Sequence, residues 1–221
     1  MKTVVIVSGG MDSVTLLYHL KEEGHEVKAL GVNYGQRHAK ELVAAQEICK
    51  KAEVHFEIAN LQPINKFLQG SSQTSKDVQV PDGHYADESM KTTIVPNRNM
   101  IMLSVAIGWA VSLKYDAVAY GAHSGDHAIY PDCRPEFADA MGNAAAICDW
   151  SPIRLLSPFT DKTKSDIAVL GYRLDVPFDK TWSCYKGRTL HCGLCGTCVE
   201  RKEAFELAGL VDPTKYEGAV N

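Results

Sequence analysis

The chain has 221 residues, 45% of them apolar and 23% charged, with a formal net charge of −4. These values fit one globular domain of ordinary to large size, or one carrying an appendage, and exclude a disordered or fibrous chain. The acidic balance lacks the broad positive field that non-specific nucleic-acid or membrane-surface binding draws on. Small-molecule chemistry is therefore the default, with neither nucleic acid nor membrane expected as a partner.

In chain order, Met1-Lys2-Thr3-Val4-Val5-Ile6-Val7 meets Ser8-Gly9-Gly10 without a cleavage-site pattern. It reads as a buried first strand over Thr3–Val7 and not as a signal peptide. A helix follows over Asp12–Glu23, with Val14, Leu16, Leu17 and Leu20 at helical spacing and Gly24 as its stop. Val27–Val32 is a second strand. Ala39–Lys51 is a second helix with Leu42, Val43 and Ile48 facing inward, and Val54–Ile58 is a third strand. Regularity lapses from about Asn60 to Lys91, where Gln, Ser, Asp, Gly and Pro dominate. A loop of that length in a compact domain is expected to be functional, as a lid or an insertion. Met100–Leu113 is a third helix, so apolar that it should be deeply packed. A strand over Asp116–Gly121, a helix over Pro135–Ile147, a strand over Ile153–Leu156 and a helix over Lys164–Leu170 complete the alternation. No apolar run approaches the ~20 residues that span a bilayer. This rhythm predicts an α/β fold with an open, mostly parallel five-stranded sheet, helices on both faces and ligands at the carboxyl ends of the strands. Past about Gly171 the rhythm stops and a Gly- and Cys-dense tail begins.

Ser8-Gly9-Gly10-Met11-Asp12-Ser13 lies between the first strand and the first helix. Adjacent glycines let the backbone approach a ligand and take positive φ, and Ser8, Asp12 and Ser13 are helix-starting residues. Such a loop offers backbone N–H groups, hydroxyls and a helix dipole to an anion, as a phosphate site requires. It is neither a Walker A loop nor the Gly-x-Gly-x-x-Gly of dinucleotide folds. Out of context, the same string is an ordinary tight turn with a capping Asp.

Seven cysteines, an odd number, argue against a disulfide framework and for a cytosolic chain. Cys184, Cys192, Cys195 and Cys198 follow a C-x7-C-x2-C-x2-C pattern, with Gly187, Gly193 and Gly196 easing the backbone around one centre. Four thiolates suit a closed tetrahedral site, so one structural Zn²⁺ per chain is expected, with no open position for a catalytic water. An iron–sulfur cluster is the rival, although Val199 stands where ferredoxin-type motifs place Pro. His191 could replace a ligand but reads as a surface residue. Cys49, Cys133 and Cys148 read as ordinary cysteines. The chain thus divides into an α/β nucleotide-binding domain over 1–170 and a C-terminal zinc-binding segment over 171–221.

A Ser-Gly-Gly-x-Asp-Ser string directly after the first strand resembles the pyrophosphate loop of the N-type ATP pyrophosphatases, whose fold is Rossmann-like, of the adenine nucleotide alpha hydrolase-like kind. Ser157-Pro158-Phe159 with Thr163-Lys164-Ser165-Asp166-Ile167 looks like the distal lysine-bearing segment of these enzymes. The resemblance implies adenylation: ATP activates a carbonyl or carboxylate oxygen as its AMP derivative, pyrophosphate leaves, and a nucleophile displaces AMP. Further strings carry the likeness across the chain: Asn33-Tyr34-Gly35-Gln36-Arg37-His38, Val95-Pro96-Asn97-Arg98-Asn99, Tyr130-Pro131-Asp132-Cys133-Arg134-Pro135-Glu136-Phe137 and Thr181-Trp182-Ser183-Cys184-Tyr185. With the loop and the cysteine tail, they resemble the 7-cyano-7-deazaguanine synthase family, the nitrile-forming ligases of queuosine-precursor biosynthesis. That resemblance implies conversion of 7-carboxy-7-deazaguanine and ammonia to 7-cyano-7-deazaguanine (preQ0), through successive adenylation of the carboxylate and the amide.

It also implies roles for particular residues. ATP, with Mg²⁺, would lie along Val7, Ser8, Gly9, Gly10, Met11, Asp12, Ser13, Val14, Thr15, Leu16 and Leu17. Asp12 would reach Mg²⁺ or the nucleotide, and Ser13 the phosphates. Arg98 and Lys164 would offer positive charge to phosphates or to the substrate carboxylate. Gln36, Arg37 and His38 would contact adenine or ribose, and Asp132 or Glu136 the guanine-like edge, whose N–H/NH₂ pair matches a carboxylate. Purely structural roles stay open: a solvated helix-start Lys164, an ion-paired Arg98, a capping His38, a turn-forming Asp132. Two other functions stay open as well: a tRNA-sulfurating pyrophosphatase, and a zinc-stabilised binding module with a relict loop. The tail and the apolar third helix could support a homodimer.

Overall fold

The computed structural model describes residues 1–37, 39–186 and 189–218. Its centre is β1 (Lys2–Ile6), whose Val4 and Val5 are fully buried on opposite faces of the sheet. This is how a β-branched run behaves when helices cover both sides. β2 (Glu26–Asn33) and β3 (His55–Asn60) extend the sheet one way, β4 (Ala117–Ala119) and β5 (Arg154–Leu156) the other, in the order β3-β2-β1-β4-β5. All four pairings are parallel, with Val5 opposite Ala29 on β2 and Ala119 on β4.

On one face, Val5 and Val7 pack with α1 (Met11–Glu22), α2 (Ala39–Lys51), α5 (Lys164–Arg173) and α6 (Gly196–Leu207). On the other, Val4 and Ile6 pack with α3 (Arg98–Leu113) and α4 (Pro135–Ile147). The order reverses between β1 and β4, and the crevice at their carboxyl ends is where such a sheet binds ligands.

Several expectations change in detail. α3 starts at Arg98 instead of Met100, after Asn97 in the left-handed region at φ 57°. Only one stripe of it is fully buried, including Leu103, Ala106, Ile107 and Ala110, so it is less deeply packed than its composition suggests. Val43 is 54% exposed, because the buried face of α2 runs through Leu42, Ala45, Ile48 and Cys49. Parts of the 60–91 stretch pack against the core. The stretch forms a 3-10 turn at Gln62–Phe67, buries Ser71, Ser72 and Gln73, and sends Tyr85 and Met90 into the core beside α3.

The tail holds a helix, α6, that cysteine and glycine punctuation hides in the sequence. Its Phe205 enters the core shared by α1 and α5. Arg201 is fully buried there. Its guanidinium donates to Asp212 Oδ1 at 3.1 Å, Thr181 Oγ1 at 2.7 Å and the Phe178 carbonyl at 3.0 Å. A charge that deep is tolerated because its donors find an anion and two oxygens.

Candidate active site and metal centre

At the end of β1, Val7 still donates its N–H to Leu30 O at 2.9 Å, and the chain then leaves the sheet's central strand. Gly9 takes φ 92°, and a Cβ there would collide with the Glu41 carbonyl of α2. Glycine is required on both counts. Gly10 is the N-cap of α1, so the helix starts without a side-chain cap. Ser13 Oγ instead accepts the Ser8 N–H at 3.1 Å and donates to Gly10 O at 3.2 Å. The loop is thereby stiffened from within while the positive end of α1 stays available to an anion.

Charged side chains meet beside this loop. Lys164, first residue of α5, places Nζ 3.2 Å from Asp12 Oδ2 and 2.7 Å from Glu200 Oε2 on α6. His123 is buried next to them, its Nε2 lying 3.6 Å from Asp126 Oδ2. Asp126 Oδ1 accepts the Tyr85 hydroxyl at 2.9 Å. Burial alone would pull the Lys164 pKa down, but Asp12, Glu200 and Asp126 outweigh it and hold it above the usual lysine range. Burial pushes Asp126 up, yet His123, Lys164 and the Tyr85 hydroxyl win, and its carboxyl stays below the ordinary value. This is a cation locked in the charged form among carboxylates. Asp12 Oδ1 is buried without a hydrogen-bond partner, which leaves an oxygen free for an incoming cation or donor.

The cleft above them opens to solvent, and Val7, Ser8, Gly10, Asp12, Ser13 and Lys164 line it. Gly9 is pressed against α2, while Met11, Val14, Thr15, Leu16 and Leu17 are buried in or beside the core underneath. Arg98 also lines the cleft, 5.9 Å from the Tyr34 ring centroid, with Nε buried and unpartnered. Burial opposes its charge, but Tyr34, Tyr185, Cys133 and Asp132 together keep it ionised.

Other candidates stand apart. Gln36 reaches the cleft, although its amide is used locally, accepting the Tyr34 N–H at 2.9 Å and donating to Val32 O at 3.0 Å. Arg37 donates to Lys76 O at 2.7 Å, away from the lining. His38 lies outside the described residues. Asp132 accepts the Asn99 N–H at 3.1 Å at the start of α3, Glu136 is exposed on α4, and neither lines the cleft. Cys133 does, but burial pushes its thiol pKa up, against a nucleophilic role.

Sequence reasoning missed Glu41, Tyr85, His123, Asp126 and Glu200. The string Gly121-Ala122-His123-Ser124-Gly125-Asp126 follows β4 and could have been found by the strand-end argument that singled out the first loop. Glu41 sits in the first turn of α2 and lines the cleft. Burial lifts its carboxyl to about 7 against the opposing pull of Arg98 and Gln36. Glu200 has no local signal.

Cys184, Cys192, Cys195 and Cys198 are all buried, and their sulfurs lie within 4.8 Å of one another. Cys192 Sγ accepts the Leu194 and Cys195 N–H groups at 3.4 and 3.3 Å, and Cys184 Sγ accepts the Lys186 and Cys192 N–H groups at 3.4 Å. Backbone donors of this kind stabilise thiolates, as a metal site needs. His191 is buried, contrary to a surface reading: its Nε2 accepts the Ser183 N–H at 3.1 Å and its ring packs on Trp182. The segment also touches the first loop, through the Trp182 N–H donated to Gly9 O at 2.9 Å.

The model of the family described as "Queuosine biosynthesis protein QueC" matches residues 2–209. The 7-cyano-7-deazaguanine synthase of Pseudoalteromonas translucida is 52% identical over 98% of this chain and 99% of its own. That of Hahella chejuensis is 52% identical over 98% of this chain and 93% of its own. Among solved structures, the U34-tRNA thiolase NcsA of Methanococcus maripaludis with its [4Fe-4S] cluster aligns at a TM-score of 0.54. It is 16% identical, and the match covers 100% of this chain and 75% of that one. This last likeness speaks for the fold alone.

Proposed function

The chain belongs to the queuosine biosynthesis protein QueC family, and from that premise we propose how its cleft carries out the family's ligase chemistry. It is an ATP-dependent carbon–nitrogen ligase that makes 7-cyano-7-deazaguanine. Its substrates are 7-carboxy-7-deazaguanine and ammonia. The substrate carboxylate attacks the α-phosphorus of ATP, forming an acyl-adenylate and releasing pyrophosphate. Ammonia adds at the acyl carbon, AMP leaves, and the amide results. The amide oxygen is adenylated in turn; departure of AMP and loss of the amide protons leave the nitrile. One cleft serves both stages because both activate an oxygen on the same carbon.

The observation that carries this reading is the Lys164–Asp12 pair at 3.2 Å beside the uncapped start of α1. The α1 N–H groups and the Ser8 hydroxyl take the phosphates, Ser13 braces the loop that presents them, and Lys164 neutralises the charge that grows on departing pyrophosphate. Mg²⁺, when bound with ATP, withdraws further charge from the phosphates, and the unpartnered Asp12 Oδ1 is the oxygen available to it. The unpartnered Arg98 Nε suits an anion, either phosphate or the substrate carboxylate.

The four thiols hold one structural Zn²⁺. At Zn–S ≈ 2.3 Å a tetrahedron sets its sulfurs roughly 3.8 Å apart, and Cys192 and Cys198 lie 4.0 Å apart. A four-iron cluster puts each thiolate on a separate corner iron and needs a wider cage. The seven thiols, all free, favour a cytoplasmic setting, and no described helix is long and apolar enough to cross a membrane. The net charge of −4 favours a free small molecule over RNA as acceptor. For assembly we favour a homodimer through the α3–α4 face, where Ile147 and Trp150 are exposed.

The test is turnover of purified protein with Mg-ATP, ammonium and 7-carboxy-7-deazaguanine, following AMP and the deazaguanine products by mass. Nitrile accompanied by one AMP per activation is the expected result. AMP without nitrile would overturn the acceptor assignment and bring a tRNA substrate forward.

A further inference from the structure

We propose that Glu200 is a positioning residue through which the metal-bound tail sets Lys164 over the phosphate loop. This rests on the reading of Lys164 as the cation facing pyrophosphate. Glu200 is not among the residues lining the cleft, so it acts on bound ligands only through its neighbour. Its side chain is 12% exposed, and Oε2 receives the Lys164 Nζ at 2.7 Å, closer than the 3.2 Å to Asp12.

Three features fix where Glu200 points. α6 begins at the cysteine cluster, with Cys195 as its N-cap and Cys198 inside its first turn. The next residue, Arg201, pins the helix from behind through Asp212, Thr181 and the Phe178 carbonyl. In front, Gly125 leaves room for the carboxylate: a Cβ there would stand 3.0 Å from Glu200 Oε1.

The physical need for a second anchor lies with Asp12. A lysine side chain has several rotatable bonds, and holding its ammonium in place costs rotamer entropy. Asp12 can hold Lys164 only until a cation or nucleotide engages that carboxylate. Glu200 keeps Nζ near the loop when Asp12 Oδ2, 3.2 Å away, is engaged by a ligand. The cysteine site thus gains a catalytic consequence: it orients α6, and α6 orients the lysine.

A double-mutant cycle tests this, using full-length, metal-loaded protein and reading the rate of AMP formation, metal content and Tm. Glu200→Gln should slow kcat by roughly 10–100-fold while leaving bound metal and Tm near those of the unmodified chain. Glu200→Asp, which keeps the charge on a shorter stem, should recover part of the loss. In a Lys164→Ala background the Glu200 changes should cost nothing further, since the residue they act through is gone. Independent, multiplying losses would overturn the proposal, as would Glu200→Gln turning over within twofold of the unmodified chain. If Glu200→Gln sheds its metal, the cycle is run with Glu200→Asp. An unimpaired Lys164→Ala would sink the phosphate-facing assignment itself, whereas an impaired Lys164→Ala whose losses multiply with those of Glu200 sinks only the positioning role.

Discussion

At the scale of single residues, the cleft mixes groups that announce themselves and groups that do not. Ser8, Asp12 and Ser13 sit in one short string at a strand–helix junction, so their shared place on the cleft could be read from chain order alone. Glu41 could not, since a glutamate in the first turn of a helix is common. Only the fold sets it beside Arg98 in a cleft, where burial lifts its carboxyl to about 7. A carboxyl raised above its unfolded value favours folding while it is protonated. That contribution is complete below the unfolded pKa near 4.5 and is lost as the pH rises through about 7. Glu41→Gln removes the titration. The variant should therefore gain stability relative to the unmodified chain between pH 5 and pH 8, by on the order of 1–3 kcal/mol. Urea unfolding of the nucleotide-free protein at several pH values measures it, and a pH-independent difference would contradict the assignment.

Among the elements, α6 changes how the tail is understood. Its cysteines looked like a separate metal-bound appendage, yet Phe205 and Arg201 pack against the α1–α5 side of the main core, and Trp182 donates its N–H to Gly9. Loss of the metal should then be felt at the Ser8–Ser13 loop. Cys195→Ser should lose the bound metal, expose Trp182 with a red-shifted fluorescence, and weaken ATP binding by about tenfold or more. Tight ATP binding by a metal-free variant would show that the loop is independent of the tail. The 60–91 stretch, expected as a lid or an insertion, also reaches the cleft: Tyr85 lines it and donates its hydroxyl to Asp126 at 2.9 Å.

For the whole molecule, the α3–α4 side carries the proposed dimer contact. α4 ends at Ile147, 84% exposed, and Trp150 just beyond it is fully exposed, next to Cys148 and Asp149, which line a groove with Ser104, Ile107, Gly108 and Ala144. Small residues there let another helix approach, and an exposed tryptophan next to them is costly in water. Sedimentation should give about twice the 24.2 kDa chain mass, and Trp150→Arg should shift the protein toward monomer without loss of secondary structure. A monomer at micromolar concentration in the unmodified protein would count against the homodimer.

The sequence by itself determined the alternating α/β architecture, the glycine-paired loop after the first strand and the four-thiol centre. Each is a local pattern: β-branched runs, helical spacing, paired glycines before a helix, and ligands close enough in the chain to close around one ion. The register of helix ends, the exposure of Val43 and the burial of His191 depended on which neighbours arrived, so local pattern could not decide them. Only the tertiary structure decided which charges converge. Lys164, Asp12, Glu200 and Asp126 come from distant segments, and the parallel sheet brings their carriers to the carboxyl edge of β1. Electrostatic energy falls off with distance in space and is blind to distance along the chain. That is why the anchoring of Lys164 by Glu200 left no trace in the order of residues.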